Sequence, residues 1–307
     1  MSNPDVFKDV FIEVTVKLPK NYSLDLAAQL DNQVLNALSG YFEVLYEEGQ
    51  QTDSSLFKLY FPVQHVAASA EIEALLVSLQ IPNYSVEENI IKRLDYMQAY
   101  KEHYEPLRLS THFAVIPNWH RDTQVEQDFA KQFESQYIPL YLDPGLAFGT
   151  GRHATTQMMI DWIDNQNLRN CRLLDAGCGS GILGLAALKK GALHVTGFDI
   201  DQNAVNATNE NFAQNQISED QYTILLGGWS LPELKETQFD VIVANITMNI
   251  FVEYRRTINQ IHSNRLVVSG ILQETKDRFI ELFSTDWQLE FENSSDGWIL
   301  LDLVRKV

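Results

Sequence analysis

Hydrophobic and polar residues alternate in the first part of the chain in a way that predicts short strands and two helices. Apolar residues occupy every second position over residues 10–18, which is typical of a strand with one buried face, and a helical spacing follows over residues 23–38. Strand, strand, helix and strand patterns then follow at residues 41–46, 56–61, 68–79 and 83–89. The order β-α-β-β-α-β predicts a ferredoxin-like α+β unit, a fold that carries many functions and identifies none.

A second series of patterns begins after Pro106. Residues 94–105 are helical in composition and end at that proline, so we interpret them as a linker helix. Beyond it, buried-type strands alternate with helices, which predicts a doubly wound, mostly parallel Rossmann-like sheet. The strand patterns lie at residues 113–119, 137–142, 172–175, 193–199, 222–226, 239–244, 265–272, 287–292 and 298–304. The helical patterns lie at residues 125–133, 155–163, 204–214 and 274–283. We therefore predict a recognition domain at 1–93, the linker at 94–105 and an α/β catalytic domain at 106–307.

Charge limits the classes of partner. The 307 residues carry 23 basic and 41 acidic side chains, and the net charge of −18 repels a phosphate backbone and attracts basic partners. We therefore expect no direct nucleic-acid contact. Because neither a leader-like start nor a long apolar span is found, we expect a cytoplasmic protein without membrane contact. The two cysteines, which we expect to be reduced and buried, and seven scattered histidines predict neither a disulfide framework nor a metal centre.

The most informative stretch is a strand, a glycine-rich turn and a helix start over residues 172–184. Alternating glycines at 177, 179 and 181 let the chain turn sharply and let a ligand lie against the backbone at a helix N-terminus. The run 179–184 also fits the dinucleotide pattern G-x-G-x-x-G, a weak signal alone. Asp175 would oppose a pyrophosphate but suit the cationic amino-acid end of S-adenosylmethionine. Asp199, at the end of the next strand, is placed to accept hydrogen bonds from ribose hydroxyls of either ligand.

Two further stretches are candidates for the same site. Residues 143–156 combine glycines, threonines and Phe148, which suggests backbone that approaches a ligand. Asn245 ends a buried-type strand at the edge where open α/β sheets bind ligands, so we expect its side chain to face the site. The asparagines of the helix at 204–214 are typical of an exposed helix and require no function.

Together these stretches resemble the PrmA family, methyltransferases of the large-subunit ribosomal protein L11. The resemblance covers nearly the whole chain. It is carried by Asp-Pro-Gly-Leu-Ala-Phe-Gly-Thr-Gly at 143–151, Gly-Cys-Gly-Ser-Gly-Ile-Leu at 177–183, Phe-Asp-Ile-Asp at 198–201, Val-Ala-Asn-Ile at 243–246 and Ser-Gly-Ile-Leu at 269–272. It implies an enzyme that transfers methyl groups from S-adenosylmethionine to lysine side-chain or N-terminal amines of that basic protein. We expect it to be a monomer.

The resemblance also implies roles for individual residues. Cofactor contacts fall on Thr156, Gly177, Gly179, Asp199 and Asn245, with Asn245 also serving catalysis; Phe148 and Thr155 lie close to the target amine. Two departures are local. Arg152-His153-Ala154 stands where the family usually has Thr-His-Pro, and Tyr96 and Tyr100 stand where it has tryptophans. Arg152 adds a cation near the site and affects substrate detail more than cofactor binding.

The chemistry of methyl transfer asks little of the protein beyond alignment and exclusion of water. A lysine acceptor must first lose a proton, which costs about 4–5 kcal/mol at neutral pH for a pKa of ~10.4. No base is evident, but the Asn245 oxygen and carbonyls near Ile246 are candidates to accept the amine hydrogens. The sequence has Ile-Thr-Met after Asn245 where enzymes that methylate planar nitrogens have Pro-Pro-aromatic, which favours a tetrahedral amine. An NAD-dependent oxidoreductase, a methyltransferase for another protein or small-molecule nitrogen, and a ribosome-associated binding protein remain the alternatives.

Overall fold

The chain folds as two units that divide after Tyr104. A computed structural model describes residues 10–19, 44–48, 54–62, 67–78, 81–92, 104–134, 136–142 and 149–306. The predicted helices at 23–38 and, except for its last two residues, at 94–105 lie outside this described part. Residues 104 and 105 are not helical.

The first unit contains a four-stranded antiparallel sheet and one described helix. Its elements are β1 (Val10–Pro19), β2 (Val44–Glu48), β3 (Ser54–Pro62), α1 (Ala68–Ser78) and β4 (Ser85–Lys92). The strands lie in the order β2-β3-β1-β4. Alternate β1 residues Ile12, Val14 and Val16 are buried, as are Ile72 and Leu76 of α1. The period-2 pattern of β1 therefore marks its core face, as predicted.

The second unit contains ten strands and seven helices within the described residues. The strands are β5 (Leu107–Arg108), β6 (Phe113–Pro117), β7 (Ile138–Leu142), β8 (Arg172–Ala176), β9 (His194–Asp199), β10 (Tyr222–Leu226), β11 (Gln238–Asn245), β12 (His262–Leu272), β13 (Trp287–Ser295) and β14 (Trp298–Arg305). The helices are α2 (Gln124–Ala130), α3 (Ala154–Asn165), α4 (Ile182–Lys189), α5 (Gln202–Gln214), α6 (Glu233–Glu236), α7 (Met248–Gln260) and α8 (Lys276–Phe283).

The central sheet of this unit has seven strands in the order β10-β9-β8-β11-β12-β14-β13. The first five strands are parallel, and β14 lies antiparallel between β12 and β13. The predicted mostly parallel Rossmann-like sheet is therefore confirmed. The strand order reverses between β8 and β11, which creates a crevice at the carboxyl ends of the strands, where ligands bind in such folds. A smaller sheet, β5-β6-β7, belongs to the same unit.

The core of this unit combines apolar packing with buried polar contacts, one of which involves Asp302. Phe279 stacks on Phe283 at 4.6 Å between ring centroids and meets Phe251 edge-on at 5.1 Å. Trp162 Nε1 donates a 2.8 Å hydrogen bond to Asp302, whose other oxygen lies 2.8 Å from Arg265 Nε. This polar link fastens α3 to the interior strand β14.

The two cysteines differ in burial. Cys178 is buried, but Cys171 is only half-buried, so the prediction that both are buried is wrong for Cys171. Cys171 directly precedes β8. Burial raises the pKa of the Cys171 thiol, and the neighbouring Asp240 carboxylate adds to the effect. In the described residues, no helix combines the length and apolar character that a membrane crossing requires.

Candidate functional site

The turn between β8 and α4 is built from glycines with left-handed backbone. Gly177, Gly179 and Gly181 have φ angles of 71°, 56° and 78°. Gly181 is the N-cap of α4, and a Cβ there would lie 2.6 Å from Thr208 Cγ2. A Cβ on Gly177 would lie 2.7 Å from Ile246 Cγ2, so the loops after β8 and β11 touch at this point. Side chains at these positions would push the turn away from its neighbours.

The amides of this glycine loop are fastened to the end of β9. The N–H groups of Gly177 and Cys178 both donate to the Phe198 carbonyl, at 2.9 and 3.0 Å. Gly179 N–H donates to Asp199 Oδ2 at 3.0 Å, and Gly181 N–H donates to the Cys178 carbonyl at 2.7 Å. Within the described part of the chain, the Ser180 N–H has no acceptor among the bonds that hold the loop. That amide is the one the loop leaves for a ligand at the start of α4.

Asp199 is positioned by both of its carboxylate oxygens. Oδ2 accepts from Gly179 and Oδ1 accepts from Asp201 N–H, each at 3.0 Å, and the residue is half-buried. A carboxylate oxygen accepts more than one hydrogen bond, so capacity remains for two hydroxyl donors. The next residue, Ile200, is 82% exposed, so a large apolar side chain faces water beside the Asp199 carboxylate. Ile200 is not among the predicted site residues, although an apolar residue directly after the strand-ending acid is visible in the sequence.

Asp175 lies beneath the loop and not on its outer surface. It is 1% exposed, and its Oδ2 accepts a 2.9 Å hydrogen bond from Gly184 N–H in the first turn of α4. Burial raises the pKa of this carboxyl to about 7, the Gly184 hydrogen bond opposes the rise, and the Asp199 charge adds to it. The described geometry gives Asp175 a bracing contact with α4. Its expected complementarity to a cationic ligand stays a prediction.

Asn245 lies across the crevice at the end of β11. Its Nδ2 is 3.4 Å from Thr156 Oγ1, and within the described ranges its Oδ1 accepts no hydrogen bond. Ile246, next in the chain, donates its N–H to the Ser269 carbonyl at 3.2 Å. Gly270 makes this approach possible, since a Cβ there would lie 2.6 Å from the Ile246 carbonyl oxygen. The amide of Asn245 is thereby oriented, with its oxygen left as an acceptor.

Thr155 and Thr156 lie in the first turn of helix α3 and are both 1% exposed. The N-cap residue His153 accepts from Thr155 N–H at 3.3 Å, and its Nδ1 lies 2.7 Å from the Thr155 hydroxyl. In this conformation both the N–H and the hydroxyl of Thr155 contact the His153 side chain. Ala154 is the first helical residue, a position that accepts alanine as readily as proline, so this departure from the family pattern leaves the helix start intact. Phe148 lies outside the described residues.

The glycine loop also touches the described part of the 143–156 stretch. Ser180 Oγ donates to the Gly149 carbonyl at 2.7 Å, and a Cβ on Gly149 would lie 2.9 Å from that oxygen. Gly149 and Gly151 have φ angles of 101° and 93°. Their backbone conformations and the close approach explain why glycines recur here.

Helix α5 contradicts the expected exposure of its asparagines in part. Asn206 is exposed as expected and Asn209 is half-buried, but Asn211 is 2% exposed. Asn215, just beyond the helix, is 3% exposed. With Thr208 these two buried asparagines occupy positions i, i+3 and i+7 of one helix face, which the sequence shows. The sequence does not show that this face packs on polar backbone of another loop.

Five of the predicted residues come together at the switch point of the sheet. Gly179 bonds to Asp199, Asn245 lies beside Thr156, and Gly177 adjoins the residue after Asn245. Among the described residues, no group of three histidine, cysteine or acidic side chains is arranged to hold a metal ion. The arrangement suits a ligand with a ribose, a carboxylate and a group that faces Asn245 across the crevice.

Comparison with known proteins gives a consistent result. The sequence profile of the family described as "Ribosomal protein L11 methyltransferase (PrmA)" matches residues 17–306. A protein of that name from Leptospira interrogans is 30% identical over 304 residues, which cover 96% of this chain and 98% of the relative. Another, from Pseudomonas fluorescens, is 34% identical over 73% of this chain and 72% of its own length. The crystal structure of ribosomal protein L11 methylase from Lactobacillus delbrueckii subsp. bulgaricus is 31% identical, with a TM-score of 0.57 over 66% of this chain and 100% of that one.

Proposed function

Because the chain belongs to the ribosomal protein L11 methyltransferase family, we propose that it transfers methyl groups from S-adenosylmethionine to lysine side-chain or N-terminal amines of ribosomal protein L11. The observation that carries the proposal is the family match over residues 17–306, together with the glycine loop tied to Asp199 at the switch point. The net charge of −18 supports a basic protein substrate.

The proposed cofactor site uses separate groups for each part of the ligand. The Asp199 carboxylate would accept both ribose hydroxyls, and exposed Ile200 would cover one face of the adenine. The Ser180 N–H at the start of α4 would receive the carboxylate of the methionine end. Gly177 and Gly179 would allow the ligand to lie against the backbone, with Thr156 at the side nearest Asn245.

The cofactor, when bound, supplies a methyl group already activated by its sulfonium. The residues of this chain would then orient and desolvate the acceptor amine. Asn245 Oδ1, left free while Nδ2 faces Thr156, would accept an amine hydrogen and turn the nitrogen lone pair toward the methyl. Removal of the lysine proton costs about 4–5 kcal/mol at neutral pH. Burial of the amine beside Asn245 would offset part of that cost, because burial disfavours the charged form of an amine.

Mass spectrometry of ribosomal protein L11 after incubation with enzyme and S-adenosylmethionine tests the proposal. We expect mass increases in whole methyl steps on amine-bearing peptides, and none when enzyme or cofactor is omitted. A parallel titration with S-adenosylmethionine and NAD separates methyl transfer from the oxidoreductase alternative. An enzyme that binds S-adenosylmethionine but leaves the ribosomal protein unmodified would contradict the proposed substrate and would favour another acceptor.

A further inference from the structure

Helix α5 turns one buried polar face toward the backbone of the site. Thr208 Oγ1 donates to the Gly179 carbonyl and Asn211 Nδ2 donates to the Ser180 carbonyl, both at 2.9 Å. Asn215, one turn further, donates from Nδ2 to the Tyr141 carbonyl at 2.6 Å and accepts from Tyr141 N–H at 3.0 Å through Oδ1. Three residues at helical spacing therefore hold two different backbone segments.

The first segment is the glycine loop itself. Because a trans peptide points its carbonyl and the following N–H in opposite directions, turning the Gly179 carbonyl toward Thr208 turns the Ser180 N–H away from α5. That N–H is the loop amide left for the cofactor. Thr208, fully buried, thereby sets the direction of a cofactor-binding donor.

The second segment is the end of β7, which Asn215 fixes through its two hydrogen bonds with Tyr141. The Ser180 hydroxyl fixes the Gly149 carbonyl, in the run that leads into α3. That run ends at Thr156, which lies beside the Asn245 amide. The hydroxyl of Ser180 thus provides a hydrogen-bonded connection from the cofactor loop to the run that carries Thr156, beside the Asn245 side chain that would orient the amine.

We propose that Ser180 is a positioning residue for the methyl acceptor, whereas Thr208 is a positioning residue for the cofactor. This proposal rests on the proposed function. Buried backbone groups that lose a partner must find another or shift. Loss of the Ser180 hydroxyl therefore displaces the run that leads to Thr156 and the Asn245 amide, while loss of the Thr208 hydroxyl redirects the Ser180 N–H.

The test compares Ser180→Ala and Thr208→Val in the whole chain. For Ser180→Ala we expect kcat for L11 methylation to fall by about 10- to 100-fold, the effect of a displacement near 1 Å, with the S-adenosylmethionine Kd changed less than about 3-fold. For Thr208→Val we expect Kd to rise by about 10-fold, the loss of one hydrogen bond to the ligand. Ser180→Thr and Thr208→Ser, which retain the hydroxyl, should restore most of each loss.

A purely structural role would lower the melting temperature without this division between kcat and Kd. The proposal is overturned if Ser180→Ala and Thr208→Val change kcat and Kd in the same proportion, or if Ser180→Ala leaves kcat unchanged. The outcome can be separated from failure of the proposed function. If the wild-type protein binds S-adenosylmethionine but does not methylate L11, the proposed substrate fails, while the Kd of Thr208→Val still decides the cofactor half.

Discussion

Two backbone N–H groups bind the Asp199 carboxylate and fix its orientation. A carboxylate fixed in this way can recognise a ribose. Replacing Asp199 by alanine should weaken S-adenosylmethionine binding by about 1.5–3 kcal/mol, the range for hydrogen bonds to a charged group. Titration calorimetry measures this directly. Asp201→Ala is a matched control, because Asp201 caps α5 through Asn203 N–H and is exposed. It should reduce stability and leave affinity unchanged. Unchanged affinity in a folded Asp199→Ala protein would remove Asp199 from the site.

Asn245 should serve the reaction more than cofactor affinity. Its amide is oriented by Thr156, and its oxygen faces no partner within the described residues. We expect Asn245→Ala to lower kcat by a larger factor than it raises the cofactor Kd. Single-turnover methylation and equilibrium binding give the two numbers. Equal losses in both would make Asn245 a binding residue only.

The buried carboxyl of Asp175 predicts a pH dependence of folding. Its pKa is raised from 3.8 to about 7, so between these values the folded state holds a proton that the unfolded state releases. The free energy of unfolding should therefore fall as pH rises from about 4 to about 7, by at most about 4 kcal/mol, and level off above. Urea unfolding at several pH values measures the slope. Asp175→Asn should lack this contribution, and identical slopes in the two proteins would show that Asp175 does not titrate as described.

At the scale of elements, local signals predicted the strands and the glycine loop well. The strand at residues 222–226 was predicted with its observed bounds, and residues 68–79 differ from α1 by one residue. The hydrophobic patterns of these elements depend on residues that are close together in the sequence, so the sequence alone is enough to predict them. The exposure of Asn211 in α5 was predicted wrongly because its burial depends on Ser180, 31 residues away. The Ser180–Gly149 contact could not be predicted for the same reason.

A comparison of two glycines separates the cost of left-handed backbone from the cost of steric clash. One of the two lies in the turn before α4. Gly181 and Gly297 have nearly equal φ angles, 78° and 77°, but a Cβ on Gly297 would meet nothing within 4 Å. Gly297→Ala should cost about 1–2 kcal/mol of unfolding free energy, the penalty of left-handed backbone. Gly181→Ala should cost more and also weaken cofactor binding, because its Cβ would collide with Thr208. Chemical denaturation and calorimetry measure both effects. Equal costs with unchanged affinity would contradict a crowded cofactor loop.

At the scale of the whole molecule, the two units suggest separate tasks. The catalytic groups discussed above all belong to the unit after Tyr104, and we predict that the first unit docks the protein substrate. A tethered docking unit raises the local concentration of the target amine, to the millimolar range for short linkers. Residues 105–307 alone should bind S-adenosylmethionine nearly as well as the full chain, while L11 methylation falls sharply. Equal methylation rates at matched concentrations would assign the first unit another role.

Charge gives this docking prediction a second test. With a net charge of −18, attraction to a basic protein should weaken as salt screens it. The KM for L11 should rise between low and high salt, while the cofactor Kd, set by short contacts, should change little. Equal salt sensitivity of both constants would argue against electrostatic docking.

The position of β14 has a consequence for how the protein is made. The ribosome synthesises β13 before β14, yet β14 occupies the sheet position between β12 and β13. Until residues 298–305 emerge, β13 has no partner in the sheet and the edge of β12 is open. Trp298, the first residue of β14, also packs against His153, the cap of α3. A nascent chain can therefore fold its first unit early, but the sheet that carries its methyl-transfer centre is completed only after β14, the last strand of that sheet in sequence order, has left the ribosome.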